Sequence, residues 1–386
     1  MRGRGSSVHP PPESSHPEGT EIDPSSEAGG DYTLSTMLRG AAVVLLAGSL
    51  FAPRGAVAQP SDPPQDAFGE SITVALDTLI VRVVDSSGAP ILGLAPADFR
   101  VRIHGREIPV AAVDWVSSGT AAEEPAETRA EGAPSERSVP APAGGKLVIL
   151  FVQTDLHPTR ISGQMRLRPY TRELLASLHP ADRIAVVSFD SHLKLRLDWT
   201  GDHEAVLAAV DRALIYSREP EIPPAGPASL GARFDFAAAR LVATPERALE
   251  MTAKALTGLP GEKTMIYLGW GLGRFGSDGV RMTPDYGPAV EALARAHVSV
   301  FVLDVTSADS HSLEVGLESV AEATGGTYAS TFRLPEVATA RIARAISGWY
   351  VLTFDRETLD GVEPGAAVIT LRTRRGEVLA RPVSLR

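Results

Sequence analysis

Cysteine is absent from the 386-residue chain. Disulfides, thiolate nucleophiles, iron–sulfur clusters and cysteine zinc sites are therefore all excluded. A chain without thiols suits the cytosol, and it suits equally well an oxidising compartment in which a stray thiol would be a hazard. The stability of the fold must come from packing. The cellular compartment of the protein has to be inferred from its N-terminal sequence.

Positive charge is scarce relative to negative charge, since 37 Lys and Arg stand against 47 Asp and Glu, for a formal charge of -10. This balance repels phosphates and anionic lipid headgroups, which argues against nucleic acid and membrane surfaces as partners. With 44% apolar and 22% charged residues, the chain is long enough for one large core and a smaller one. We therefore predict two folded units.

Long apolar runs are few, and one of them lies near the N-terminus, from Ala41 to Ala52. Arg39 precedes this run and Ala56-Val57-Ala58 follow it, which is the layout of a cleavable secretory signal. A run of this length is too short to cross a bilayer of ~30 Å comfortably. No stable membrane span is therefore expected after cleavage.

Residues 1–36 are polar and rich in Pro, Ser and Glu, which is abnormal ahead of a signal's apolar run. We interpret them as a disordered leader or as residues upstream of the true translation start at Met37. Residues 37–58 are then the signal peptide and 59–70 a linker. The expected location is exported, either periplasmic or extracellular.

Short β-type runs occupy residues 71–117. The alternating sequence FRVRI at 99–103, followed by His104-Gly105, is typical of an antiparallel hairpin. Residues 118–145 have almost no aliphatic bulk and are predicted to be a disordered linker. The β module before this linker is too small to bury a core alone.

Four continuous apolar runs follow in residues 146–346, with the sequences LVILFV, IAVVSF, TMIYLGW and VSVFVLDV. Runs without alternation indicate strands buried on both faces, as in a parallel sheet covered by helices. The predicted fold class is therefore α/β, with a doubly wound, mostly parallel sheet of Rossmann type. Ligands of such sheets bind at the carboxyl ends of the strands, and the first loop there is 153–157.

Helices are predicted between these runs. An apolar stripe indicates a helix that begins near Pro169. The stripe consists of Leu167, Tyr170, Leu174, Leu175 and Leu178. Asp202 and Thr244-Pro245 are signals for helix starts, and Gly325-Gly326 for a helix end.

Residues 347–386 return to β character, with a hairpin predicted to turn at Arg375-Gly376. Neither this segment nor residues 71–117 can fold alone. We predict that the two segments share one sheet and form a small accessory β domain.

Two segments of the chain resemble a known family. SLHPADRIAVVSFDSHLKLRLDWTGDHEAVLAAVDRAL at 177–214 is similar to the second and third strands of a von Willebrand factor A domain with the helices around them. VVDSSGAPILGLAPADFRVRIHG at 83–105 resembles the β module that precedes this domain in bacterial exported proteins called von Willebrand factor A-related. The resemblance implies a von Willebrand factor A-like fold and a protein-binding role.

Metal-binding members of this family use an Asp-x-Ser-x-Ser loop after the first strand, a later Thr, and an Asp after the fourth strand, because Mg²⁺ prefers hard oxygen ligands. In this chain the first loop supplies Gln153, Asp155 and His157, or Asp155, His157 and Thr159 in the alternative alignment. Gly269-Trp270-Gly271 stands where the later Asp is expected. The metal-ion-dependent adhesion site is therefore degenerate.

No cofactor is expected on these grounds. If Mg²⁺ or another divalent ion were bound at the first loop, its ligands would be Asp155, His157 and Thr159. The leading hypothesis is a non-enzymatic module that binds an unidentified envelope or extracellular protein through the carboxyl edge of the sheet, without an obligatory metal. An exposed Trp270 would be an aromatic anchor for such a partner. The partner-binding candidates are Gln153, Thr154, Asp155, His157, Ser229, Trp270 and Arg274.

An enzyme is the alternative hypothesis. Gly271 to Gly276 match G-x-G-x-x-G, but Pro284 and Pro288 delay the next helix, which favours a flexible loop over a dinucleotide cradle. A metal-dependent hydrolase would use His157 and His311.

Two further groups of residues can be considered as a metal site and as a nucleophile–base pair. Asp155 and Asp304 could complete a zinc site with the two histidines, or all four could be a solvated rim. Ser191 and His192 are predicted to point to opposite faces of a strand, which would prevent a nucleophile–base pair. A purely architectural envelope protein is the third possible function.

Overall fold

The computed structural model describes residues 76–117, 145–215, 217–223, 225–359, 362, 365–372, 375–381 and 384–385. The predicted leader, signal peptide and linker at 59–70 lie outside the described residues, as does nearly all of the linker at 118–145. Within the described ranges no helix is long and apolar enough to cross a membrane.

Strands and helices alternate through most of the described chain. The strands are β1 (Leu76–Val84), β2 (Phe99–Ile103), β3 (Arg106–Ile108), β4 (Ala112–Ser117), β5 (Leu147–Gln153), β6 (Arg183–Phe189), β7 (Leu193–Thr200), β8 (Lys263–Gly269), β9 (Arg274–Gly276), β10 (Gly279–Arg281), β11 (Val298–Asp304), β12 (Tyr328–Ser330), β13 (Gly348–Asp355), β14 (Gly365–Leu371), β15 (Glu377–Ala380) and β16 (Ser384–Leu385). The helices are α1 (Pro158–Ala176), α2 (His203–Leu214), α3 (Leu230–Arg233), α4 (Phe236–Ala239), α5 (Pro245–Leu256), α6 (Tyr286–Arg295), α7 (Glu314–Ala323), α8 (Pro335–Ala345) and α9 (Arg356–Leu359).

The central sheet has six strands in the order β12-β11-β8-β5-β6-β7. Neighbours pair in parallel from β12 to β6, and β7 pairs antiparallel to β6 at the edge. The four apolar runs of the sequence form β5, β6, β8 and β11, and in β8 and β11 every residue is buried. The prediction of an α/β fold with a mostly parallel sheet is confirmed.

Apolar cores lie on both faces of this sheet because successive side chains of a strand point in opposite directions. Met265 and Tyr267 of β8 belong to one core, and Ile266 and Leu268 belong to the other. A continuous apolar run is therefore the sequence pattern that this position in the sheet requires.

Helix α1 corrects one predicted boundary. The helix begins at Pro158, and Pro169 lies inside it. Proline suits the first position of a helix because it has no amide hydrogen to leave unpaired, and Pro158 is the residue that satisfies this rule. The predicted apolar stripe nevertheless forms the buried face of the helix, since Leu167, Leu174 and Leu175 are buried.

Two other helix starts form as the sequence indicates. The Asp202 side chain accepts hydrogen bonds from the amides of Glu204 and Ala205 at the start of α2. Thr244 caps α5 by accepting from the amide of Arg247. Each cap provides a partner for amides that have none within the first helical turn.

The N-terminal and C-terminal β segments form two four-stranded sheets, in the orders β15-β1-β13-β4 and β16-β14-β2-β3. Each sheet takes strands from both segments, whereas the sequence predicted one shared sheet. The hairpin predicted at Arg375-Gly376 is also wrong, because β14 pairs with β2 while β15 pairs with β1 in the other sheet. The boundaries predicted for the domains stay predictions.

Candidate functional site

The carboxyl ends of four parallel strands meet along one edge of the central sheet. Gln153 ends β5, Phe189 ends β6, Gly269 ends β8 and Asp304 ends β11. The predicted site residues follow these strands, so each can be placed relative to this carboxyl edge.

Gln153 is buried, with 1% of its surface exposed. Its Oε1 accepts hydrogen bonds from the amides of Trp270 at 2.9 Å and Gly271 at 3.2 Å, and its Nε2 donates to the carbonyl of Gly271 at 2.9 Å. The side chain therefore joins the ends of β5 and β8 and is not accessible to a partner. This corrects the prediction that Gln153 contacts a ligand.

Asp155 is already paired with a cation of its own chain. One carboxylate oxygen forms a salt bridge with the Arg160 guanidinium, and the other accepts the amide of His157 at 2.9 Å. The guanidinium also lies over the Trp270 ring, 3.3 Å from its centroid. A positive charge therefore stands beside the one carboxylate that the first loop could offer to a metal.

Trp270 and Thr154 are less accessible than the sequence suggested. Trp270 is partly buried, packs against one of the two sheet cores and is covered by Arg160. Thr154 is buried, and its amide donates to the carbonyl of Phe189 at 2.9 Å. Trp270 is therefore not the exposed aromatic anchor that the hypothesis required, and the burial of Thr154 argues against its candidacy as a partner-binding residue.

Ser229 has a structural role at the start of the short helix α3. Its hydroxyl donates to Asp198 Oδ2, and the same carboxylate accepts the amides of Leu230 at 2.8 Å and Gly231 at 3.0 Å. Burial acts to raise the pKa of Asp198, but these hydrogen bonds outweigh it and leave the pKa below its ordinary value. Ser229 is buried and tied to β7, so it does not line an open ligand site.

Arg274 is exposed and lies in a hairpin that the sequence did not predict. Strands β9 and β10 pair antiparallel, with Phe275 opposite Val280. The Phe275 side chain is 70% exposed. The first helix after the glycines of 271–276 begins at Tyr286, so no helix N-terminus faces this glycine loop as a dinucleotide site would require.

The first loop exposes two side chains. His157 is exposed, and its Nδ1 lies 2.8 Å from the hydroxyl oxygen of Thr159. Leu156 is 72% exposed, and no sequence argument had selected it. Together with Arg274 and Phe275, these two residues form what we call the recognition edge: Leu156, His157, Arg274 and Phe275.

Asp304 and His311 come together, but without His157. His311 Nε2 lies 2.7 Å from Asp304 Oδ2, and Glu314 completes a group whose possible ligand atoms all lie within 4.8 Å of one another. The sequence analysis did not consider Glu314. The signal for it was the spacing His-x-x-Glu, which places His311 in the loop just before α7 and Glu314 at the first position of that helix.

Ser191 and His192 lie in the turn between β6 and β7, and Ser191 Oγ is 3.0 Å from His192 Nδ1. The prediction that they point to opposite faces of a strand is therefore wrong. Asp190 accepts hydrogen bonds from Ser191 in the same turn and from Lys194 Nζ of β7. Burial opposes ionisation of Asp190, but the hydrogen bonds from Lys194 and Ser191 outweigh it and lower its pKa to about 2.

Asp190 is therefore expected to stabilise the protein in a pH-dependent manner. Its pKa is lower in the folded state than its ordinary value of about 3.9, so its contribution is complete above that value and disappears as the pH falls through about 2. We expect the difference in free energy of unfolding between the wild type and Asp190→Asn to shrink on acidification from pH 5 to about pH 2. A difference that stays constant in urea titrations over this range would contradict the assignment.

Comparisons with known proteins provide no closely similar sequence. No family model matches the chain, and no curated protein matches it. Solved structures with similar folds include BatB from Bacteroides thetaiotaomicron, with 14% identity and a TM-score of 0.36 over 53% of this chain and 98% of that one. The PilB minor pilin from Streptococcus sanguinis has 12% identity and a TM-score of 0.34 over 53% of this chain and 61% of that one. The VWA domain of SpRpn10 has 11% identity and a TM-score of 0.31 over 51% of this chain and 93% of that one.

The α/β fold, with its mostly parallel sheet and one antiparallel strand at the edge beside β6, is compatible with the von Willebrand factor A-like fold that the resemblance in the sequence implies. This likeness concerns the fold alone.

Proposed function

We propose that the protein is an exported, non-enzymatic module that binds a protein partner at the recognition edge, and that this binding needs no ion at the first loop. The observation that carries the proposal is that side chains of the chain itself fill the first loop. The Arg160 guanidinium forms a salt bridge with Asp155, and the side-chain amide of Gln153 forms hydrogen bonds with the backbone of Trp270 and Gly271 after β8. In an ion-mediated site, a metal would hold these two loops together.

The exposed groups of the recognition edge suit a protein surface. Leu156 and Phe275 present apolar area that is 72% and 70% exposed, and Arg274 and His157 lie beside them in sequence. Aromatic and Arg side chains are the types that most often dominate the affinity of protein interfaces. The paired strands β9 and β10 hold Phe275 in place, which reduces the entropy lost on binding.

A capture experiment with a matched control tests the proposal. The immobilised full chain is exposed to envelope proteins, and the retained partner is then purified for titration in the presence and absence of EDTA. We expect unchanged affinity in EDTA and a loss of at least about tenfold, or ~1.4 kcal/mol, for the double variant Leu156→Ala, Phe275→Ala. The control is Val368→Ala on β14, another exposed apolar residue, which should bind as the wild type does.

Two outcomes of this experiment would contradict the proposal. Complete loss of binding in EDTA would contradict the metal-free mode. Equal affinity of the double variant and the wild type would exclude the recognition edge as the contact surface.

A further inference from the structure

A group of metal-ligating side chains lies at the end of β11, apart from the first loop. Asp304 ends the strand, His311 lies in the following loop, and Glu314 is the first residue of α7. Their possible ligand atoms lie within 4.8 Å of one another. Among the described residues this is the one such group of three or more His, Asp or Glu side chains.

Asp304 is held in a fixed orientation. Its Oδ1 accepts the amide of Thr306 at 2.8 Å, and its Oδ2 accepts the hydroxyl of Tyr328 at 2.8 Å in addition to its contact with His311. Tyr328 belongs to β12, the neighbouring strand of the sheet. A buried carboxylate fixed from two strands is a preorganised ligand, because outer hydrogen bonds orient the groups that contact a metal.

His311 and Glu314 are more accessible to solvent than Asp304. His311 lies in the loop after β11, and Glu314 lies at the start of α7. Both are partly exposed, and the amide of His311 donates to Glu314 Oε2 at 3.2 Å. Two metal bonds of about 2.0–2.2 Å at a tetrahedral angle place their ligand atoms roughly 3.3 Å apart. His311 Nε2 is 2.7 Å from Asp304 Oδ2, so a small rotation of His311 away from that oxygen, with an adjustment of Glu314, would give a metal geometry.

The carboxylates of this group have no salt bridge to a lysine or an arginine among the described residues, and Glu318 has none either. The group thus combines two carboxylates and an imidazole in a negative field, which suits a divalent cation.

A second, independent observation is a buried polar atom that lacks a partner beside this group. The Tyr267 side chain is fully buried, and its hydroxyl forms no hydrogen bond to any described residue. Burial raises the pKa of Tyr267 strongly, and the charges of Glu246 and Asp304 add to this effect. Tyr267 lies on the strand next to β11, two residues before the Gly269 that pairs with Asp304. An unpaired buried polar atom requires an explanation, and an ion or a water molecule bound near it is one such explanation.

We propose that Asp304, His311 and Glu314 bind one divalent transition-metal ion of the zinc type. Imidazole nitrogens and carboxylate oxygens both bind zinc, and a set of three protein ligands leaves a fourth position open. Because an imidazole favours zinc over Mg²⁺, this site differs in chemistry from an all-oxygen site.

The ion would fix the loop between β11 and α7 against the sheet edge. Leu313 in this loop packs so closely on Gly271 that a Cβ added at Gly271 would lie 2.5 Å from the Leu313 Cβ. The loop thereby contacts the segment that leads into β9. Metal binding and partner binding are separate measurements, so either proposal can fail without the other.

The test is a zinc titration of the full, tag-free chain by calorimetry, repeated with Co²⁺ to record its visible absorption bands. We expect one equivalent of zinc to bind, Co²⁺ bands of a low-coordinate site, and no displacement by excess Mg²⁺. His311→Ala and Glu314→Gln should each weaken zinc binding at least tenfold. His157→Ala, an exposed histidine outside the group, is the matched control and should bind zinc as the wild type does.

The variants keep the proposal falsifiable even if one of them folds poorly. Glu314→Gln keeps the size and hydrogen-bonding oxygen of the side chain, and far-UV circular dichroism verifies its fold. Absence of stoichiometric zinc binding to the wild type would overturn the proposal. So would equal zinc affinities of the wild type, His311→Ala and Glu314→Gln, because the ion would then lie elsewhere.

Discussion

Replacing Glu262 by Gln is expected to lower the free energy of unfolding by about 3–5 kcal/mol, because it leaves two buried arginines without a counter-charge. Glu262 precedes β8 and forms salt bridges with Arg82 of β1 at 2.8 Å and with Arg381 after β15 at 3.3 Å. All three side chains are at most 4% exposed. The group connects the accessory β strands to the central sheet, so its loss affects the packing between them.

The directions in which the pKa values of Glu262 and Arg82 are shifted agree with a buried ion pair. Burial acts to raise the pKa of Glu262, but the charges of Arg381 and Arg82 outweigh burial and lower it. Burial lowers the pKa of Arg82 against the pull of Glu262. Because the folded-state pKa of Glu262 is depressed, its stabilising effect is complete above its ordinary pKa and is lost as the pH falls.

Urea denaturation at neutral pH measures the effect of Glu262→Gln. Asp211→Asn is the matched control, because it removes an exposed partner of Arg168 and should cost less than about 1 kcal/mol. The triple variant Arg82→Met, Glu262→Met, Arg381→Met should be less destabilised than Glu262→Gln, since it leaves no unpaired charge. A loss below about 1 kcal/mol for Glu262→Gln would contradict the prediction.

The sequence predicts the central sheet well because burial on both faces produces continuous apolar runs. The runs that became β8 and β11 have no polar alternation, and every residue in them is buried. The accessory sheets were harder to predict. Strands β14 and β15 lie close in sequence but pair in different sheets, and a hairpin pattern cannot distinguish these outcomes.

The candidate site could be located from the sequence but not assembled from it. The carboxyl edge followed from the parallel strands, and in the structure Asp155 lies just after β5 while Asp304 is the last residue of β11. Arg160, which pairs with Asp155, and Glu314, which lies near Asp304, are both on the helix that follows the strand, and the rotational phase of each helix decides which side chain faces the strand end. The burial of Gln153 could not be predicted either, because a Gln at a strand end can bind a ligand or can form hydrogen bonds that join two strand ends, and the sequence does not distinguish these roles.

Gly269 shows in physical terms why a carboxylate does not follow β8. A Cβ added there would lie 2.1 Å from Tyr267 Cε1 and 2.7 Å from Gln153 Oε1. The Tyr267 ring, stacked on Phe151 with centroids 5.0 Å apart, and the Gln153 amide occupy the space that a side chain at 269 would need. The degenerate metal pattern is therefore coupled to the packing of the core beneath it.

Gly269→Asp is accordingly expected to destabilise the protein by about 4 kcal/mol and to create no Mg²⁺ site. Gly269→Ala isolates the steric part, about 3 kcal/mol, since overpacking a rigid core has costs of this order. The remainder comes from burying a second carboxylate beside Asp304, which pairs with position 269 across β8 and β11. Gly287→Ala on α6 is the control, because a Cβ there meets nothing within 4 Å and Ala is the better helix former.

A double-mutant cycle separates the steric cause from a general loss of order. Tyr267→Leu removes the ring that the new Cβ would strike, so Gly269→Ala should cost at least about 1 kcal/mol less in that background than in the wild type. Equal costs in the two backgrounds would place the strain elsewhere. Recovery of Gly269→Asp stability on addition of Mg²⁺ would show that an ion can displace the Gln153 amide and the Arg160 guanidinium, which would contradict a first loop closed by its own side chains.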